Sequence, residues 1–167
     1  PLLKGEVIDA ATMNAKELRS FYAKEIKDAK SSGVLFSLHL KATMMKVSDP
    51  ILFGNCIKVF FAELFEKFSS ELEQIAFNPN NGIGDLLKKI ETLPEAKQNE
   101  IKNILDAVYA KQPELAMVNS DRGITNLHVP SDVIIDALMP AMIRTSGQMW
   151  DTLGKLKDAK AVIPDRS

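Results

Sequence analysis

The stretch LFSLHLKATMMKVSDP, residues 35–50, decides the fold that we predict for this chain. Apolar residues dominate positions 34–40, and only Ser37 and His39 interrupt them. A short run of this kind, without regular alternation of apolar and polar side chains, is typical of a strand that is buried on both faces. We therefore expect this strand to lie inside the molecule, with helices packed against it.

The residues that follow this strand are charged and precede a helix start. Lys41 and Lys46 come close behind the apolar run, and Asp49 with Pro50 at the first helical position predicts the beginning of a long helix. Two lysines behind the end of an apolar strand form a candidate anion site. Alternatively, the amine of Lys41 extends from the strand end to water, and the spacing leaves both interpretations open.

Helices are predicted before and after this strand in the sequence. Asn14 and Glu17 match a capping box, and apolar residues at helical spacing extend that helix toward Gly33. Further periodic segments predict a short helix that ends before Pro94 and another that closes near Pro113. The alternation of apolar runs and periodic helices predicts an α/β fold, in which helices pack around one mixed sheet.

A second informative stretch, NSDRGITNLHVPSDVIIDALMPAMIRTSGQMW, covers residues 119–150. Its turn-forming start is followed by a helix for which Ser131 is the predicted N-cap. Pro140 should kink or restart this helix, and Gly147 suits its C-terminal end. Residues that follow strand ends are where functional sites of α/β proteins gather, so this stretch is a candidate for function.

Two aspartates in this second stretch are the main candidates for metal binding. Asp132 and Asp136 lie four residues apart, so one helix would place both carboxylates on the same face. In a structural interpretation, Asp132 favours the positive helix N-terminus and Asp136 pairs with Arg122 or Arg144. In a functional one, the two carboxylates provide oxygen ligands to a divalent cation, and the spacing does not decide between them.

Histidine and cysteine give little sign of chemistry. His39 and His128 are the two histidines, and neither has a His or Cys partner at ligand spacing. This disfavours a zinc site and favours buried histidines with satisfied hydrogen bonds. The single Cys56 cannot form an internal disulfide, which is typical of a reducing compartment, and we therefore expect a cytoplasmic protein.

Bulk composition limits the classes of partner. The 167 residues are enough for a single domain or subdomain, and 46% hydrophobic with 26% charged residues is typical of a globular chain. A net charge of −1 gives no general attraction to nucleic acid or to an acidic membrane, and no apolar run is long enough to span a bilayer. The chain starts without Met and stops after a short apolar run, so we expect a segment of a longer polypeptide.

Several blocks together resemble a known family. HLKATMMKVSDP with FGN nearby, the NPNNGIGDLL loop and the block ELAMVNSDRGITNLHVPSDVIIDALMPAMIRTSGQMW are similar to the monomeric NADP-dependent isocitrate dehydrogenases of bacteria. The resemblance covers nearly the whole chain. Enzymes of that family are several times longer, so the chain corresponds to an internal portion of the large second domain.

The resemblance implies an oxidative decarboxylation of isocitrate, in which NADP takes a hydride and Mg or Mn assists as a Lewis acid. It implies that Lys41, in HLKATMM, is a catalytic lysine that assists proton movement at the substrate hydroxyl. It also implies that Asp136, in VIIDALMP, is one of the aspartate ligands of the metal ion. The remaining ligands, the residues that bind NADP and most that bind isocitrate would lie outside this chain.

Two positions depart from the family pattern. The family usually has histidine where Asn55 stands and serine where Leu138 stands, so a polar contact near the metal is expected to be lost at Leu138. We expect the parent enzyme to be monomeric and the isolated chain to be inactive. The competing hypothesis is a non-catalytic interaction module, in which Asp132 and Asp136 form a structural acidic pair.

Overall fold

The protein alternates helices with short strands, as seen in a computed structural model that describes residues 2–8, 10 and 12–164. Its helices are α1 (Ala15–Ser32), α2 (Ser48–Phe60), α3 (Ala62–Lys67), α4 (Ser69–Gln74), α5 (Ile83–Lys89), α6 (Glu95–Lys111) and α7 (Ile135–Arg144). Its strands are β1 (Leu35–Leu38), β2 (Met117–Asn119), β3 (Ile124–Thr125), β4 (Gln148–Trp150) and β5 (Leu156–Val162).

Three of the strands form a mixed sheet in the order β1-β5-β4. Strand β5 pairs in parallel with β1, in a register that sets Leu38 opposite Val162, and pairs antiparallel with β4. Strands β2 and β3 form a separate antiparallel pair. Helices pack against this framework, which confirms the predicted α/β class with a mixed sheet.

The N-cap role predicted for Asn14 and the helix end predicted near Gly33 are confirmed for α1. The side chain of Asn14 accepts hydrogen bonds from the backbone N–H groups of Lys16 and Glu17, as a helix N-cap does. Gly33 ends the helix with φ of 67°, in the left-handed region where glycine carries no steric cost. The chain then enters β1 directly, so α1 and β1 pack side by side.

Strand β1 is buried at every position, as the apolar run predicts. It is shorter than the predicted 34–40, because regular pairing with β5 stops at Leu38. Leu40 then forms an isolated parallel bridge with Ile134, so the chain stays extended beyond the regular sheet. This extension determines where the next residue, Lys41, lies.

The prediction of one long helix from Asp49 onward is wrong, because this segment forms three consecutive helices. It begins at Ser48, and Phe61 and Phe68 divide it into α2, α3 and α4 with φ values of −105° and −122°. Phe61 is fully buried and packs edge-on against the Tyr109 ring, with centroids 5.5 Å apart. The apolar residues of this segment are spread too broadly for one narrow stripe, so the sequence pattern did not show where the helix bends, and Phe61 packs against α6 at the first break.

Two of the sequence blocks that carry the family resemblance meet in space. Gly54, in the FGN motif of α2, lies against Asn80 in the NPNNG loop, whose residues Pro79–Asn81 form a 3-10 turn. A Cβ on Gly54 would approach the Asn80 backbone nitrogen to 2.9 Å. Glycine is therefore required for this close approach, and it allows the loop to pack against α2.

The helix predicted after Pro130 forms in two pieces. Residues Pro130–Val133 make a 3-10 turn, Ile134 is extended, and α7 begins at Ile135, so Ser131 is not its N-cap. Pro140 lies inside α7 without ending it. Gly147, with φ of 91°, follows the end of the helix as predicted. Within the described ranges, none of the helices has the length and apolar character needed to cross a membrane.

Candidate functional site

Lys41 follows β1 and projects from the end of the extended chain. Its backbone N–H donates to a carboxylate oxygen of Asp49 at 2.7 Å, at the start of α2. Its side chain is about one third exposed. The backbone of Lys41 is therefore bound to buried Asp49, while its amine reaches the protein surface.

Asp136 lies in the first turn of α7, and its carboxylate meets the amine of Lys41. The Lys41 Nζ donates to Asp136 Oδ1 in an ion pair, although the two residues lie 95 positions apart in the sequence. The Thr43 hydroxyl donates to the second oxygen, Oδ2, at 3.4 Å. The hydrogen bond from Lys41 lowers the pKa of the Asp136 carboxyl, so this group is ionised at neutral pH. The structure thus brings together the two residues that the sequence singled out, and they share a solvent-accessible position.

Asn126 connects the two segments that carry this pair. It is buried, and its side-chain oxygen accepts from the Leu38 N–H at 2.6 Å while its amide nitrogen donates to the Leu38 carbonyl at 3.1 Å. The same nitrogen also lies 3.4 Å from the Asp132 carbonyl. Asn126 therefore pairs with β1 as a neighbouring strand would, and it holds the loop before α7 beside the strand that leads to Lys41.

Asp132 and Asp136 do not form the predicted acidic pair on one helix face. Asp132 belongs to the 3-10 turn, where its carboxylate accepts from the Val129 N–H at 3.3 Å. Burial raises the pKa of the Asp132 carboxyl, whereas that of Asp136 is lowered. The extended residue Ile134 separates the two, so spacing of four residues did not imply one helical turn. The interaction-module hypothesis loses its structural acidic pair for the same reason.

The structural interpretation, in which Asp136 pairs with Arg122 or Arg144, is also wrong. Among the described residues, the ion-pair partner of Asp136 is Lys41 and not Arg122 or Arg144. Lys46 lies on the exposed loop between β1 and α2, and Lys41 rather than Lys46 reaches the carboxylate. The candidate anion site built from two lysines is therefore a lysine–aspartate pair.

His39 behaves as the sequence predicts. His39 is fully buried, and its ring lies 2.9 Å from the Ser37 hydroxyl and 3.0 Å from the Met139 sulfur. Burial lowers the pKa of His39 to about 4, so the ring is neutral at physiological pH. His128 is half-buried, and its backbone carbonyl accepts from the Gly84 N–H at 2.9 Å. The ring of His39 thus has structural partners, whereas for His128 the hydrogen bonds described are those of its backbone.

Metal-binding capacity within the described chain is limited to single oxygen donors. No group of three His, Cys, Asp or Glu side chains among the described residues converges on a point where an ion could sit. The half-exposed carboxylate of Asp136 is a suitable oxygen ligand for Mg²⁺ or Mn²⁺, but one carboxylate does not complete such a site. Further ligands would have to come from outside the described residues.

The two departures from the family pattern have local explanations. Asn55 accepts from the Arg19 guanidinium at 2.9 Å and donates to the Ile51 carbonyl, so it joins α1 to α2. Leu138 packs against a small apolar cluster that contains Leu35 and Met149. An apolar side chain at position 138 is thus accommodated by its surroundings.

Sequence reasoning missed the supporting roles of Asp49 and Asn126. Asp49 was expected only to begin a helix, and Asn126 carried no local signal, because its partners lie 88 positions away. A cavity of about 450 Å³ between α6 and the β2–β3 pair was also unforeseen. Tyr109 and Thr125 are among its lining residues, whereas Lys41 and Asp136 do not line it. The candidate site is the open Lys41–Asp136 surface and not this cavity.

The comparisons with known proteins agree on one family. The sequence profile described as monomeric isocitrate dehydrogenase matches residues 1–167. An NADP isocitrate dehydrogenase of Azotobacter vinelandii is 64% identical over 162 residues, which is 97% of this chain and 22% of that protein. A second such enzyme, from Colwellia maris, is 56% identical over the whole chain, and one from Mycobacterium tuberculosis is 51% identical over 165 residues. The chain spans 22% of the length of each of these relatives.

Proposed function

The chain belongs to the monomeric isocitrate dehydrogenase family, and on this premise we propose that it is part of a longer NADP-dependent isocitrate dehydrogenase. In this proposal, the chain supplies Lys41 as a catalytic lysine and Asp136 as one ligand of a Mg²⁺ or Mn²⁺ ion. The substrate is isocitrate, and the complete enzyme acts as a monomer without nucleic acid or membrane partners.

The contact between Lys41 and Asp136 is the observation that carries this proposal. An amine and a carboxylate from distant segments meet at a surface position, and their side chains are 35% and 52% exposed. A purely structural ion pair at such exposure contributes little to stability, because water screens the charges. Its accessibility instead suits a substrate that must reach both groups.

The chemistry expected of Lys41 is proton transfer. Its amine can hold a proton or move one at the hydroxyl of isocitrate, and its positive form offsets the carboxylate charge of the substrate. Asp49, through the Lys41 backbone, and Asp136, through the Lys41 amine, define where this nitrogen lies. Such positioning is what general acid–base catalysis needs.

Asp136 would hold the metal ion with a carboxylate oxygen. The carboxylate is ionised and half-exposed, which suits binding of a hard divalent cation. When bound, the ion would act as a Lewis acid toward the substrate oxygens, and NADP would accept a hydride. The described residues offer no group of three ligands, which agrees with the implication of the family resemblance that the other ligands and the NADP site would lie in other parts of the enzyme.

Apolar side chains around the pair support a site that other parts of the enzyme complete. Met44 and Val47, on the loop after Lys41, are 72% and 81% exposed, and Ile143 on α7 is 69% exposed. Helix α7 is apolar in sequence, yet none of its residues is fully buried. Apolar surface of this kind, beside a charged pair, is typical of a face that another part of the polypeptide covers.

The test is an assay of NADPH formation with isocitrate, Mn²⁺ and NADP, made on a longer polypeptide that contains this chain and on the chain alone. The longer polypeptide is expected to reduce NADP, and the chain alone is expected to show no turnover. A longer polypeptide that folds but does not oxidise isocitrate would refute the proposed function. Clear NADPH formation by the chain alone would refute the claim that the site is incomplete.

A further inference from the structure

We propose that Asp49 is a positioning residue for Lys41, a role that rests on the proposed function of Lys41. Asp49 lies in the first turn of α2 and is 2% exposed. One of its carboxylate oxygens accepts the backbone N–H of Lys41 at 2.7 Å. Asp49 therefore acts on the backbone of the lysine and leaves the amine free for Asp136 and for substrate.

The loop between Lys41 and Asp49 holds the Lys41 backbone from both sides. The Lys41 carbonyl accepts from the N–H groups of Met44 and Met45 at 3.1 and 2.9 Å. The Asp49 N–H donates to the Met45 carbonyl at 3.0 Å. With its N–H bound to Asp49, Lys41 has both backbone polar groups occupied. The backbone of Lys41 is therefore held in place, and the position of its amine depends on the conformation of the side chain alone.

A carboxylate at position 49 is chemically suited to this task. Both of its oxygens are engaged, because one accepts from the Lys41 N–H at 2.7 Å and the Ser48 hydroxyl donates to the other at 3.1 Å. Helix α2 has no side-chain cap at Val47, so the acid in its first turn also favours the helix dipole. A test must therefore separate positioning of Lys41 from stabilisation of α2.

Two substitutions at Asp49 and one control make this separation in the longer enzyme that contains the chain. Asp49→Ala removes the acceptor, and Asp49→Asn keeps an oxygen acceptor while it removes the charge. The matched control is Asp85→Ala, because Asp85 is the acid in the first turn of α5 and pairs with Lys89, away from Lys41.

We expect Asp49→Ala to lower kcat by on the order of a hundredfold, since a displacement of about 1 Å can have this effect. The KM for NADP should not change, because the cofactor is bound by other parts of the enzyme. Asp49→Asn should keep kcat within about tenfold, because a neutral acceptor still holds the Lys41 N–H. Asp85→Ala should keep kcat.

Hydrogen exchange at the Lys41 amide gives a second readout. In the unsubstituted protein this amide is protected by Asp49, and in Asp49→Ala it should exchange faster, while the Gly33 and Leu64 amides on other elements keep their rates. If Asp49→Ala does not fold, Asp49→Ser is used, because its hydroxyl suits a first helical turn but is too short to reach Lys41.

The outcomes distinguish the two proposals. Loss of activity in Lys41→Met together with normal kcat in folded Asp49→Ala or Asp49→Ser would overturn the role of Asp49 alone. An equal fall of kcat in Asp85→Ala would also overturn it, because the effect would then be one of helix stability. Normal turnover in Lys41→Met would overturn the catalytic role of Lys41 and with it the positioning role of Asp49, while the activity proposed for the longer enzyme would stand.

Discussion

Leu40 and Ile134 form an isolated parallel β-bridge directly before the two residues of the candidate site. The Leu40 N–H donates to the Val133 carbonyl at 2.7 Å, and the Ile135 N–H donates to the Leu40 carbonyl at 2.8 Å. Lys41 is the next residue on one segment, and Asp136 lies two residues further on the other. The bridge is thus the backbone link that delivers an amine and a carboxylate to one place.

The first prediction concerns this bridge. Ile135→Pro removes the N–H that donates to Leu40, yet proline suits the first position of α7 and the extended Ile134 before it. The carbonyl of buried Leu40 would lose its donor, so Ile135→Pro should be less stable than Ile135→Ala by about 1–3 kcal/mol. Urea unfolding of both variants measures this difference, and equal midpoints with equal slopes would show that the bridge adds nothing.

The second prediction concerns the roles proposed for the pair. In the longer enzyme, Lys41→Met should mainly lower kcat, and Asp136→Asn should weaken activity that depends on Mg²⁺ or Mn²⁺. Each loss should reach orders of magnitude, as is usual for groups that act as a unit. Steady-state kinetics over a range of Mn²⁺ concentrations separates the two effects.

Controls for these variants come from other exposed surfaces of the chain. Lys155→Met and Asp158→Asn change the same residue types at positions on the β4–β5 hairpin, away from the Lys41–Asp136 pair. Both should keep normal kinetics. Near-normal kinetics in Lys41→Met or in Asp136→Asn would withdraw the role of that residue.

The local parts of the fold could be predicted from the sequence. The side-chain cap of Asn14, the left-handed Gly33 and the buried β1 each depend on residues within a few positions of one another. The breaks at Phe61 and Phe68 could not, because they follow from packing of buried rings against a helix far along the chain. Periodicity indicates which face of a helix is apolar, but not where a helix with a broad apolar surface bends.

The candidate site shows the same division. The sequence pattern makes Lys41 and Asp136 candidates, and the family resemblance implies their separate roles. The spacing of Asp132 and Asp136 is misleading, because Ile134 between them is extended. The support from Asp49 and Asn126 consists of side-chain bonds to backbone groups of other segments. Such bonds leave no periodic or spacing pattern, so only a structure reveals them.

The third prediction concerns Asn126. Its amide satisfies both polar groups of buried Leu38, and Asn126→Ala would leave that N–H and that carbonyl without partners. We expect a loss of roughly 2–5 kcal/mol in the free energy of unfolding, from two unsatisfied buried groups. Asn126→Asp should be at least as harmful at neutral pH, because one carboxylate oxygen would then face the Leu38 carbonyl. Urea unfolding at pH 7 tests this order, and a stability of Asn126→Asp equal to that of the unsubstituted protein would contradict it.

The fourth prediction is a pH dependence of stability caused by His39. Methionine sulfur can only accept, so the His39 Nδ1–H faces Met139 and Nε2 accepts from the Ser37 hydroxyl. Protonation of Nε2 would place a positive charge in a fully buried position, where the Ser37 hydroxyl could turn to accept from it but water could not solvate it. Burial therefore lowers the pKa of His39 from 6.5 to about 4 in the folded state.

The sign follows from proton uptake. Between pH 6.5 and about pH 4, the unfolded chain binds a proton at position 39 that the folded chain does not, so stability falls as the pH is lowered through this window. A difference of about 2.5 in pKa corresponds to a loss of roughly 3 kcal/mol, complete below about pH 4. His39→Gln is neutral throughout and serves as the control, because carboxylates titrate alike in both proteins. Urea unfolding from pH 7 to pH 4 should therefore show a steeper loss for the unsubstituted protein, and parallel curves would mean that His39 is protonated without cost in the folded state.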